Sequence, residues 1–231
     1  MKNVDSLFNA NGIVIWLPYN MKMTPIQAVL FDYGMVLSTS PDPAAWQRMK
    51  DISGFDEKTF HQGYWAFRHA YDRNDLNGLT YWAEVAKSGG TAFTPEQVQE
   101  LMAADIDLWT RLNMPMVEWA QQLQRAGMRT GILSNIGDAM TEGLLKKFEW
   151  LGGFNHCIWS YQLNMAKPEE GIYRAAVKGL ETPAGNILFL DDKAENIEAA
   201  RAVGLQAIQY SDHDAFEREM EERGFATLLK P

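Results

Sequence analysis

Ala28-Val29-Leu30-Phe31-Asp32-Tyr33-Gly34-Met35-Val36-Leu37 opens as an apolar run with the character of a buried strand, and that run ends on a carboxylate. Gly34, two residues later, lets the chain turn away. Asp32 therefore stands at the carboxyl end of its strand, the edge where open parallel sheets bind their ligands. On this stretch alone Asp32 is either a reacting group or a cap for whatever helix follows. The choice between them rests on the rest of the chain.

Beyond Leu37 the strand signal stops for some seventy residues. The pattern predicts helices over 43–52, 56–71, 79–87 and 94–112, separated by Gly54, by the stretch 74–78 and by Ser88-Gly89-Gly90. Thr94-Pro95-Glu96-Gln97 has the form of a capping box with proline at the first helical position. From Pro115 onward helix and strand alternate. Helices are expected over 115–125, 138–150, 168–180, 194–203 and 212–223, and strands over 129–133, 155–159, 186–190 and 205–209. Such alternation implies an α/β fold, a doubly wound, Rossmann-like parallel sheet with right-handed crossovers. The helical stretch interrupts it just after the first strand, over the ligand-binding edge, where it is placed to act as a lid. The expected division is 24–38 and 114–231 for the core, 39–113 for a helical cap, and 1–23 for an N-terminal extension.

Composition narrows the function. The 231 residues are 46% hydrophobic and 22% charged, ordinary for a globular chain able to bury a large core. A net charge of -9 speaks against nucleic-acid binding, which depends on basic side chains displacing counterions. Cys157 is the one cysteine, which excludes an internal disulfide framework and suits a reducing, cytoplasmic setting. His61, His69, His156 and His213 have no zinc spacing. No apolar run approaches the roughly 18 to 20 residues of a membrane span. The apolar block Gly12 to Leu17 is too short and too weakly basic at its flank for a secretory signal.

Three further groups fall at the edge that carries Asp32. The strand Thr130-Gly131-Ile132-Leu133 runs into Ser134-Asn135, a hydroxyl and an amide. Ala166-Lys167-Pro168 opens a predicted helix with an ammonium, and a cation at that end generally has an anion to meet. Ile187-Leu188-Phe189-Leu190 ends in Asp191-Asp192, two carboxylates whose mutual repulsion a divalent cation would relieve. Each has a plain alternative: a turn, a common dipeptide, a helix cap. Their arrival in order at one sheet edge is what points to chemistry.

With these four motifs the chain resembles the haloacid dehalogenase superfamily of hydrolases, from about Gln27 to Ala207. They read Phe31-Asp32-Tyr33-Gly34-Met35-Val36-Leu37, Leu133-Ser134-Asn135, Lys167-Pro168-Glu169 and Leu190-Asp191-Asp192-Lys193-Ala194-Glu195-Asn196. Glycine in the first motif and Asp-Asp-x-x-x-Asn in the last look most like the bacterial sugar-phosphate phosphatase branch that includes α-D-glucose-1-phosphate phosphatase. The resemblance implies that Asp32 attacks phosphorus and becomes an aspartyl phosphate. Ser134, with Asn135 and nearby backbone amides, would bind the phosphoryl group, and Lys167 would neutralise charge between substrate and nucleophile. Mg²⁺ would be held by Asp32, Asp192, Asp191 and the backbone of Gly34. The substrate would be a small phosphate ester. Elementary electrostatics asks for the same groups: a carboxylate about 4 Å from a phosphate charge is repelled by roughly 4 kcal/mol at an effective dielectric of about 20.

The sequence departs from the family at Gly34, where most of its phosphatases carry a second aspartate as general acid and base. Without that acid a poor alkoxide leaving group would lose roughly 10²- to 10⁴-fold in rate, while an anomeric or aryl phosphate would suffer less. Two alternatives stay open at this stage. One is a metal-independent 2-haloacid dehalogenase, for which the Asp191-Asp192 pair would be a liability. The other is a binding or regulatory protein that keeps the fold without turnover. The aromatics Tyr64, Phe67 and Tyr71, with Arg68 and Arg73, read mainly as a packed helical face, and Trp109 and Trp119 as core.

Overall fold

The computed structural model describes residues 26–231, together with an antiparallel pair of two-residue strands, Leu7–Phe8 and Val14–Ile15. The expectation for 1–23 as an extension otherwise lies outside the described residues. Strand β1 (Ala28–Phe31) is the centre of a five-stranded parallel sheet. With β2 (Arg129–Ser134), β3 (His156–Trp159), β4 (Ile187–Asp191) and β5 (Gln206–Gln209), the order is β3-β2-β1-β4-β5. Every residue of β1 and β4 is buried, as expected for parallel strands covered on both faces.

The alternation of β1 sorts its side chains between two apolar layers. Val29 and Phe31 face a cluster containing Trp119 of α6 (Met114–Arg125) and Phe216 of α11 (His213–Glu222). Ala28 and Leu30 face a second cluster with Ile172 and Tyr173 of α9 (Glu170–Gly179) and Ile197 of α10 (Ala194–Ala202). The Phe31 and Trp119 rings meet edge to face at 5.5 Å. Truncating Phe31 to alanine there would cost about 3–5 kcal/mol. Register does the rest. Phe31 pairs with Ile132 on one side and Leu190 on the other, so Asp32 and Asp191 come off the sheet level with one another.

The chain between β1 and α6 is helical throughout: α1 (Pro43–Ser53), α2 (Glu57–Ala66), α3 (Arg68–Asp72), α4 (Gly78–Ser88) and α5 (Pro95–Leu108). Thr94 and Gln97 form the expected reciprocal capping box. The helix expected over 56–71 is broken at Phe67, whose backbone leaves helical geometry (φ -109°, ψ 0°). Tyr64, Phe67 and Tyr71 keep helical spacing across the break, so periodicity hides it. Helix α5 stops at Leu108, short of 112, because the chain there pairs with the outgoing linker. Ser38 and Leu112 form an antiparallel bridge, Thr39 N–H donates to Arg111 O (2.7 Å), and Asn113 N–H donates to Leu37 O (2.9 Å).

Downstream, α7 (Asp138–Lys147) gives way to a 3₁₀ turn over Glu149–Gly153, and a short α8 (Ser160–Leu163) follows β3. Helix α9 begins at Glu170, so Lys167 lies on the loop before it, not in its first turn. No helix among the described residues is long and apolar enough to cross a membrane.

Candidate active site

The carboxyl edge of the sheet gathers the predicted polar groups. Asp32 Oδ1 accepts from Tyr33 N–H (2.7 Å) and lies 2.8 Å from Lys167 Nζ. The aspartate thus caps the turn that follows it and also faces the site, so the two readings of Asp32 are compatible. Lys167 Nζ reaches on to Asp191 Oδ2 at 2.6 Å. The Asp191 carboxylate is fully buried, and its other oxygen accepts from Lys193 N–H (2.8 Å) and Asn196 Nδ2 (2.9 Å). Asp192, one residue on, is half-buried.

Lys167 pairs with two of the three carboxylates, Asp32 and Asp191, and their protonation reflects that imbalance. Burial raises Asp32 from its ordinary 3.8 to about 7; Lys167 pulls it back, while Asp191 and Asp192 push it further up. Burial and then Asp191 raise Asp192. Lys167 is held above the usual lysine range: burial opposes its charge, and Asp191 and Asp32 outweigh that opposition.

The donor set suits a small hard cation. Asp32, Asp191 and Asp192 each offer an oxygen, all within 4.8 Å of one another. Asn196 Oδ1 is buried beside them with no hydrogen-bond partner, an acceptor awaiting a positive group. Asp191 already takes three hydrogen bonds on its two oxygens, which leaves Asp32 and Asp192 the freer ligands.

Asn135 lines the cavity beside Ser134, where a substrate contact is expected of it, and it has a second task as well. Its amide donates to Lys167 O (2.9 Å) and accepts from Lys167 N–H (2.8 Å), so it holds the lysine loop in position. Ser134 is buried at the end of β2 and lines the cavity directly.

That cavity measures about 550 Å³. Its core wall carries Asp32, Gly34, Ser134, Lys167 and Asp192; the helical insertion contributes Trp65, Arg68, His69 and Asp72; Met35 and Trp109 stand near the junction. Trp109 is half-buried, packing against the core and also forming part of the cavity wall, while Trp119 is buried as expected. Tyr64 and Tyr71 are packed in the bundle. Arg68 lies against the rings of Tyr64, Tyr71 and Tyr81, with its guanidinium 2.9 Å from Asp105. Arg73 is engaged by Glu169.

Trp65 and Asp72 carry no signal in the sequence as cavity residues. Each sits in an ordinary helical pattern, and only the docking of the insertion brings them to the site. That docking runs through Ser160 Oγ to Asp72 O (2.6 Å), Asn74 Nδ2 to Asn164 Oδ1 (3.0 Å) and Gly78 N–H to Asp138 Oδ1 (3.0 Å).

The fold and this constellation define a hydrolase class, and comparison with known proteins names it. A family model for haloacid dehalogenase-like hydrolases matches residues 44–204, well over half of the chain, and the chain belongs to that family. A drimenol cyclase of Aspergillus calidoustus is 24% identical over 84% of this chain, which spans only 36% of that protein's length. The (S)-2-haloacid dehalogenase 1 of a Pseudomonas species is 24% identical, over 81% of this chain and 85% of its own. Among solved structures, a HAD family enzyme from Bacteroides thetaiotaomicron superposes with a TM-score of 0.70 at 18% identity, over 84% of this chain and 98% of that one. The same enzyme has been crystallised with magnesium and inorganic phosphate.

Proposed function

We propose that this chain is a Mg²⁺-dependent phosphatase acting on small phosphorylated metabolites, sugar phosphates among them, through an aspartyl phosphate on Asp32. One observation carries the reading: three carboxylate oxygens converge within 4.8 Å, and Lys167 is ion-paired with only two of them, Asp32 and Asp191. Displacement of halide from carbon by a carboxylate needs no metal ion. A site with a surplus of negative charge and an orphaned Asn196 oxygen is suited to a divalent ion, and so to a phosphate dianion that needs the same ion. The magnesium and phosphate held by the Bacteroides relative support the same direction.

In this reading Asp32, Asp192 and the Gly34 backbone hold the ion, with Asp191 fixed behind them by Lys167, Lys193 and Asn196. The ion supplies charge neutralisation at the phosphoryl oxygens. Asp32 attacks phosphorus and later releases it to water. Lys167, between Asp32 and Asp191, offsets the repulsion between nucleophile and phosphate, and its place is unchanged as charge shifts toward the leaving group. Ser134 and neighbouring backbone N–H groups bind the phosphoryl oxygens.

The likeness to a haloacid dehalogenase over most of both chains supports a second reading, halide displacement by Asp32. One set of assays separates the two. Phosphate release from a panel of phosphorylated metabolites, with Mg²⁺ and with EDTA, is run beside chloride release from 2-chloropropionate. The expected result is Mg²⁺-dependent phosphate release that is lost in Asp32→Asn. Chloride release indifferent to EDTA would replace this reading with the second.

A further inference from the structure

Proton transfer has no owner in the reading above, because the position two residues after Asp32 is Gly34. Asp72 is a buried carboxyl of the cavity wall with no task so far. It is the last residue of α3, and its backbone is pinned to the core. Ser160 Oγ donates to Asp72 O at 2.6 Å, and the same hydroxyl oxygen accepts from Ile136 N–H at 2.8 Å. Ile136 is two residues beyond Ser134, so the insertion presents Asp72 against the loop expected to bind the phosphoryl group.

The side chain is not consumed by packing. Asp72 Oδ1 is buried with no hydrogen-bond partner, and Arg68 Nε stands 3.4 Å away. A buried carboxyl oxygen held by this one ion pair and by no hydrogen bond is incompletely satisfied, which fits a group retained for proton exchange. The charged and titratable groups around it are Arg68 and His69 of α3, Asp105 of α5, Tyr81 of α4 and Lys193 after β4. Burial, opposed by Arg68, raises Asp72 to about 6, a range in which a carboxyl can both give and take a proton near neutrality. His69 lines the same cavity but is exposed, and Arg68 is shared between Asp105 and Asp72 itself.

We propose that Asp72 is the general acid and base of this site, supplied by the helical insertion in place of the residue missing at Gly34. In the first step the bond from phosphorus to the leaving oxygen breaks as the bond to Asp32 forms, and the Asp72 proton passes to the leaving oxygen. In the second, water attacks phosphorus and the bond to Asp32 breaks, while Asp72 takes the proton that water gives up. The inference rests on the phosphatase reading and goes beyond it.

The test compares an alkyl phosphate with p-nitrophenyl phosphate, whose leaving group needs no proton. In Asp72→Asn, kcat/KM for the alkyl ester is expected to fall roughly 10²- to 10⁴-fold. For p-nitrophenyl phosphate kcat/KM falls less than about threefold. Its kcat drops about tenfold or more, with a larger pre-steady-state burst, because aspartyl phosphate hydrolysis has lost its base. Asp72→Glu recovers part of the alkyl activity. In the wild-type chain, which needs no variant to fold, kcat/KM for the alkyl ester declines above about pH 6 as Asp72 loses its proton, and the p-nitrophenyl profile lacks that limb. Equal losses with both esters, a loss with neither, or a leaving-group-selective loss in His69→Gln and not in Asp72→Asn would overturn the proposal. A wild-type profile with the same limb for both esters would overturn it as well. Wild-type protein that releases no phosphate from either ester would sink the phosphatase reading and this inference together.

Discussion

Asn135 and Lys167 grip one another through two reciprocal hydrogen bonds, the amide donating to the lysine carbonyl and accepting from the lysine N–H. Their sequence separation is 32 residues, so this clamp joins the end of β2 to the loop before α9 and sets where the ammonium begins. Asn135→Ala would leave both main-chain groups without their partner, at about 1–3 kcal/mol for each that stays dry. The expected outcome is a melting temperature several degrees lower and a kcat reduced about tenfold, with KM little changed. Thermal denaturation and steady-state phosphate release check it. Asn135→Asp, which keeps only the acceptor, should fall between the two.

Asp32 predicts a pH dependence of stability with a definite sign. Its carboxyl stands at about 7 in the folded chain against an ordinary 3.8, so between those values the folded state holds a proton that the unfolded state has lost. Stability from this group is therefore present below about pH 4 and declines as pH rises toward 7. At about 1.4 kcal/mol per pH unit the decline amounts to a few kcal/mol. Metal-free Asp32→Asn should match the wild-type melting temperature near pH 4 and exceed it at pH 7. Mg²⁺ should stabilise wild type more at pH 7 than at pH 5 and do so less in the variant. Melting curves at three pH values, with EDTA or Mg²⁺, decide it; a constant gap between the two proteins would refute the assignment.

Trp65 stands on the insertion with 44% of its surface exposed, yet it lines the cavity. An exposed indole contributes little to folding and much to a bound organic group that covers it. Trp65→Ala is expected to raise KM about 3- to 30-fold for substrates with a ring or apolar moiety while shifting the melting temperature by less than about 2 °C, since surface changes usually stay within about 0.5 kcal/mol. A drop in melting temperature without a change in KM would make it a packing residue.

How legible each side of the site is in the sequence follows from which interactions place it. Asp32, Ser134 and Asp191 stand at strand ends, and strand ends are visible because an apolar run stops there; parallel register then sets them at one edge. Lys167 is visible as a cation out of place beside a proline, although its neighbour Asn135 shows its clamping role only in three dimensions. Asp72 is invisible by the same logic. Its position depends on Ser160, 88 residues away, and on a break at Phe67 that the aromatic spacing masks. Trp109 reads as core because large aromatics usually are; it does pack against the core, and its second place in the cavity wall shows only in three dimensions.

Gly34 offers a way to test where the proton comes from without disturbing Asp72's anchor. Its backbone (φ -65°, ψ 133°) is open to any L-residue, and a Cβ there would meet the Trp109 ring at 3.5 Å, an ordinary contact. Gly34→Asp should therefore fold. If Asp72 already exchanges the proton, the added carboxyl changes alkyl phosphate hydrolysis by less than about fivefold in the wild-type background. In the Asp72→Asn background the same substitution restores at least about tenfold of what was lost, because a carboxyl once more reaches the leaving oxygen. The two effects are then strongly non-additive, as expected for groups that do one job. Independent, multiplying effects of Gly34→Asp in both backgrounds, measured as kcat/KM for an alkyl phosphate, would show that Asp72 and position 34 do not share the proton.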